Sequence, residues 1–194
     1  MAITQADLKD EGLYLITAPA ARMREENINL IRMLLLRDYY VLVVTVNLPY
    51  DILKKNYAEK GIPMEKIFVV DTVTKYAIGH DHEPVLNCRF VGNPSDLTDL
   101  GIAITGILSS NKEKKISLLF DSVNAMLIYI SSQNITKFIH FVTNKLRLMK
   151  FSGIFLAVEK GLDPNLLLQL TTFVDRVIDV DEEGTGAVQS ELKE

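Results

Sequence analysis

The chain has 194 residues, 48% hydrophobic and 24% charged, with a net charge of -4 at neutral pH. That balance excludes a disordered polypeptide, is long enough for a sizeable core in one domain, and gives no general attraction to nucleic acid or anionic lipid. The single cysteine, Cys88, excludes an intramolecular disulfide and fits a reducing interior.

Residues 1–11 form a polar N-terminus without secretory character. The first strand is "LYLIT" (13–17), which enters a turn containing Pro19 and then a helix over residues 25–37. Charges interrupt this and every later apolar run before membrane-spanning length, so a cytoplasmic protein without membrane association is expected. In the helix, "INLIRMLLLRDYY" carries apolar residues beyond a single stripe, which asks for burial on more than one side. Met33 and Leu36 are its candidates for contact with another protein, since methionine adapts well to an interface.

A strand "VLVVTV" (41–46) follows, then a helix over 49–60 opened by the proline of "NLPYD" and closed by the glycine of "EKGIP". The strand "KIFVVD" (66–71) leads to "HDHEPVLNC", which places His80, His82 and Cys88 in one segment. Their spacing matches no established zinc pattern, so the expectation is a polar surface loop without metal. "NPSDLTDLG" supplies Ser95 and Asp96 as caps for a helix over 94–110.

The strand "KISLLFD" (115–121) ends at Asp121, followed by Ser122, and "NAMLIYISSQN" then adds Met126 and Tyr129 to the apolar surface that needs a partner. A helix over 133–150 has Ile135, Phe138, Ile139, Val142 and Leu146 on one face and Lys137, Lys145, Arg147 and Lys150 elsewhere. Its plain reading is a helix covering a sheet; its sharper reading is a basic face that meets an acidic partner. "GIFLAV" (153–158), a helix over 163–172 and "VDRVIDV" (174–180) complete the pattern. Residues 181–194 form either a terminal hairpin turning at Glu183–Gly184 or a flexible tail.

Alternating strands and helices with continuously apolar strands mean an α/β fold: three layers, a mainly parallel sheet with helices on both faces, in a single domain over 1–194. Ligands of such sheets sit beyond the C-terminal strand ends, here Thr17 to Arg24, Asn47, Asp71 to Lys75, Asp121 to Asn124, and Glu159 to Lys160.

On "LLFDSVNAML", "VGNPSDLTDLGIAI" and the segment from "NITKFIHF" to "VDRVIDV", the chain resembles the RecA/KaiC-like ATPase family, from Leu13 to about Asp179. The resemblance implies the RecA-like P-loop NTPase fold and an archaeal source. Asp121 falls on the family's Walker B acid. The phosphate loop, G-x-x-x-x-G-K-[ST], falls on Ala18 to Glu25 of "APAARMRE". Ala18 and Met23 stand at the glycines, Arg24 at the lysine and Glu25 at the magnesium-binding hydroxyl. Alanine and methionine resist the close backbone approach to phosphate that glycine permits. Where the family carries a catalytic glutamate after the second strand, this chain has Asn47, which cannot act as a base.

The resulting expectation is a RecA/KaiC-like domain with a degenerate Walker A segment, a pseudo-ATPase without catalytic residues or cofactor, working through a protein partner, regulation or self-association. The alternative is a nucleotide sensor or weak ATPase. There Arg24 replaces the lysine, Asp121 and Ser122 hold magnesium with ATP, and Thr17 or Lys160 helps from the rim. Against that alternative, Arg24 reads as an exposed arginine paired with a nearby acid, and Glu25 and Glu26 as first-turn acids favoured by the helix dipole. The acidic balance, with no aromatic-plus-basic cluster, argues against nucleic acid.

Overall fold

The structure, a computed structural model, describes residues 8–180 and the backbone of residues 186–191. Seven strands form the parallel part of the sheet: β1 (Leu13–Ala18), β2 (Tyr40–Thr45), β3 (Ile67–Asp71), β4 (Cys88–Phe90), β5 (Ile116–Asp121), β6 (Ser152–Val158) and β7 (Arg176–Val180). An eighth, β8 (Gly186–Glu191), pairs antiparallel with β7, and the order across the sheet is β4-β3-β2-β5-β6-β1-β7-β8. The turn proposed at Glu183–Gly184 lies outside the described residues.

The continuous apolar runs have a direct cause. Side chains alternate between faces along a strand, so a strand covered on both sides is apolar at every position. In β1, Leu13 and Leu15 join one buried cluster while Tyr14, Ile16 and Ala18 join the other. In β5, Leu118 and Phe120 go to the first and Leu119 to the second. The second face is covered by α1 (Met23–Leu36) and α2 (Tyr50–Glu59). The first is covered by α4 (Leu97–Ser110), α6 (Ser132–Met149) and α7 (Pro164–Thr171). The short helices α3 (Thr74–Ile78) and α5 (Val123–Met126) follow β3 and β5 at the C-terminal edge.

Several expectations change. The segment read as a surface loop is flanked by α3 and β4 and enters the sheet only at its last residue: Cys88 pairs with Val69 as the first residue of β4, and burial pushes its thiol pKa up. His82 lies against the Phe90 ring, with centroids 4.2 Å apart. Only Asp96 caps α4, accepting from the Thr98 and Asp99 amides; Ser95 bonds the Asn93 side chain instead.

The interaction candidates also need correction. Met126 is buried in the core, so it has no surface for a partner. Met33 is half-buried against the α1–α2 core, and Tyr129 is half-buried with its ring edge-on to Tyr76. Leu36 alone of the four is well exposed, at 75%. The apolar residues of α1 are therefore absorbed largely within the domain.

Candidate functional site

The candidate site lies at the C-terminal ends of β2 and β5, under the first turns of α1 and the body of α2. The segment Ala18 to Glu25 does not form an open loop. Ala18 is buried as the last residue of β1, Ala20–Arg22 make a 3₁₀ turn, and α1 begins at Met23. The Arg22 amide bonds the Pro19 carbonyl at 2.8 Å. Helical winding thus starts five residues earlier than the spacing predicts. No residue of this segment has a positive φ, the conformation that the loop's glycines would supply.

Electrostatics keep the turn closed. Arg22 Nη2 lies 3.0 Å from Glu26 Oε1 and 3.5 Å from Glu25 Oε2, one helical turn away. Glu26 is buried and Glu25 exposed. The arginine that pairs with these acids is therefore Arg22, where Arg24 was expected. Arg24 is exposed and makes no ion pair among the described residues.

Arg24, Met23, Asn47 and Asp121 line one cavity of about 310 Å³, together with Asn27, Asn56 and Tyr57. At its inner end the Asn27 amide donates to Asp121 Oδ2 at 2.8 Å, and the Tyr57 hydroxyl donates to Asn27 Oδ1 at 2.9 Å. One asparagine thereby ties α1 and α2 to β5. Burial pushes the Asp121 carboxyl up to about 6, against the opposing effect of the Asn27 hydrogen bond. Burial, with the Asp121 charge nearby, pushes the Tyr57 phenol up as well.

The other predicted site residues do not reach this cavity. Ala18 and Ser122 are buried outside its lining, and Glu25 faces solvent beside Arg22. The Thr17 hydroxyl bonds the Asp179 side chain, and Lys160 pairs with its neighbour Glu159. Asp71 is fully buried, accepting from the Tyr50 amide at 2.7 Å, from the Val73 and Thr74 amides, and from the Thr74 hydroxyl. A carboxylate of the chain itself thus occupies the N-terminus of α2. Among the described residues no cluster of three His, Cys, Asp or Glu is placed to hold a metal. No helix among them is long and apolar enough to cross a membrane.

Asn27, Asn56, Tyr57 and Arg22 were missed from sequence. Two had a readable signal: Asn27 interrupts the buried stripe Ile31 and Leu34 of α1, and Arg22 precedes Glu25 and Glu26 at the spacing of helical ion pairs.

Among solved structures, the chain is similar to a KaiC-like protein of the hyperthermophilic archaeon Pyrococcus horikoshii, with a TM-score of 0.69 and 15% identity over 96% of this chain and 82% of that one. An uncharacterized protein from the same organism, in complex with an unknown peptide, is similar at a TM-score of 0.71 and 15% identity, covering 94% and 85%. At that identity the likeness shows the fold, which is KaiC-like. No curated protein matches the chain. Residues 30–180, most of the chain, match a family of unknown function, DUF7504, and the chain belongs to that family.

Proposed function

We propose that this chain is a non-catalytic RecA/KaiC-like domain that works through contact with another protein and does not turn over ATP. The observation that carries this reading is the helical winding of Ala18 to Glu25, clasped by Arg22. A phosphate cradle needs consecutive backbone N–H groups turned toward one point. In a 3₁₀ turn running into an α-helix, those groups point along the axis, and the first turn here carries Glu25 and Glu26. Magnesium and ATP fit these residues poorly. The hydroxyl position is a solvent-facing carboxylate, Ser122 is buried outside the cavity, and burial weakens the acidity of Asp121. Asn47 lines the cavity without the basicity to activate water. One of the two similar structures holds a peptide, which agrees with a protein-contact role for this fold.

A second reading has one specific support: Arg24, without an ion pair among the described residues, shares a cavity with Asp121 and Asn47. It treats the cavity as a rebuilt ligand site that binds ATP through Arg24. At about 310 Å³ the cavity is at the small end of ligand pockets, which run from about 300 to 1,000 Å³. That size favours the first reading over accommodation of a whole nucleoside triphosphate. Phosphate release from ATP and magnesium tests the choice. The first reading expects no release above the protein-free rate; steady turnover abolished by Arg24→Ala would replace it with the second.

A further inference from the structure

On the sheet face opposite the Asp121 cavity, α4 and α6 leave a groove of about 750 Å³ open to solvent. Its α6 wall is built from Phe138 and Phe141, with ring centroids 6.4 Å apart. Phe141 lies across Gly101 of α4, where an added Cβ would stand 3.2 Å from the ring. Further along α4, Gly106 faces open space, and Ile102 is 59% exposed at the rim. Phe141 itself is 47% exposed, although Ile135, Phe138, Ile139, Val142 and Leu146 of the same helix are buried.

Charge identifies what fits. Lys137 and Lys145 line the groove eight residues apart on α6, about 12 Å at the helical rise. Neither makes an ion pair among the described residues, and no carboxylate lines the groove. Arg147, by contrast, is turned away from it to Asp175 and the Phe173 carbonyl. A cationic, apolar groove on a chain of net charge -4 is a local feature and does not follow from overall charge.

We infer that this groove docks an acidic amphipathic helix of a partner protein, its apolar stripe against Phe138, Phe141 and Ile102 and its carboxylates against Lys137 and Lys145. The inference rests on the protein-contact reading above and supplies the surface for it. The α4 wall runs from Leu97 to Ser109, about 18 Å, which suits a helix of about 12 residues. A second copy fits less well. Two grooves face to face would bring two pairs of lysines into one interface, and the exposed Leu148 sits on a helix whose last turn is basic, not acidic.

The test is a titration of the isotope-labelled chain with a fluorescent peptide of about 12 residues, leucine at every third or fourth position and glutamate beside them. Two control peptides carry glutamine or lysine in place of glutamate. The expected result is saturable binding of the acidic peptide with amide shift changes on α4 and α6. Reversing both charges, Lys137→Glu with Lys145→Glu, weakens it by about tenfold. Gly106→Trp, placed in open space, blocks it without unfolding the domain. Equal binding of the lysine peptide, shift changes elsewhere, or a chain dimer broken by Gly106→Trp would each overturn the inference. These variants lie on the opposite sheet face from Arg24 and Asp121, so phosphate release tests the non-catalytic reading separately.

Discussion

Asp121 is the residue on which the readings of this chain divide. Its carboxyl is pushed up to about 6 by burial beside Asn27, so its charge opposes folding near neutrality. The direction of the pH effect follows from which state gives up its proton first. Below about pH 4, the ordinary aspartate value, folded and unfolded chains both hold the proton and Asp121 adds no pH dependence. Between about pH 4 and 6 the unfolded chain loses its proton first, and stability falls as pH rises. Above that window the cost is complete, on the order of 2–3 kcal/mol. Asp121→Asn is therefore expected to be more stable than the natural chain at pH 7 and equal to it near pH 4. Urea midpoints of both at the two pH values check this; a variant less stable at pH 7 would mean that the charged carboxylate is held by favourable contacts. Arg24 belongs to the same scale. Among the described residues it makes no ion pair, while Arg22 pairs with both Glu25 and Glu26.

At the scale of elements, the N-termini of α2 and α3 are satisfied by a carboxylate of the chain itself. Asp71 ties the start of α2 to α3 through four hydrogen bonds. Asp71→Ala is expected to destabilise the domain by about 3 kcal/mol in urea unfolding, because buried amides lose their acceptor. Asp71→Asn, which keeps an acceptor, should recover part of that loss; no loss in either variant would show the amides to be solvated. Elements with long periodic patterns were legible in the chain. The apolar strands β1, β2, β3, β5 and β6 and the helices α1, α2, α4, α6 and α7 stand within a few residues of their expected places. Cys88–Phe90 was not legible, because three residues carry no measurable period, and neither was the five-residue α3. The winding of Ala20–Arg22 was hidden for another reason. Its alanines are good helix formers, yet position after a strand and proline invited comparison with a loop. Legibility of the site was uneven in the same way. Met23, Arg24, Asn47 and Asp121 meet in one cavity as strand-end placement implies, whereas Asn56 and Tyr57 arrive from the body of α2, which only tertiary packing brings there.

For the whole molecule, the sheet order puts β6 between β1 and β5 and keeps β2 beside β5, so Asn47 and Asp121 share an edge while the wound segment after β1 lies across it. The KaiC-like fold is retained, the Asp121 cavity is small and walled by α1 and α2, and the larger groove lies on the other face between α4 and α6. That distribution supports a molecule that presents a surface to a partner over one that turns over a nucleotide. Calorimetric titration of ATP with magnesium into the natural chain, beside Arg24→Ala, tests this most directly. No saturable heat is expected from either protein at millimolar nucleotide. Micromolar binding to the natural chain that disappears in Arg24→Ala would contradict it, and would make the Asp121 cavity a working nucleotide site.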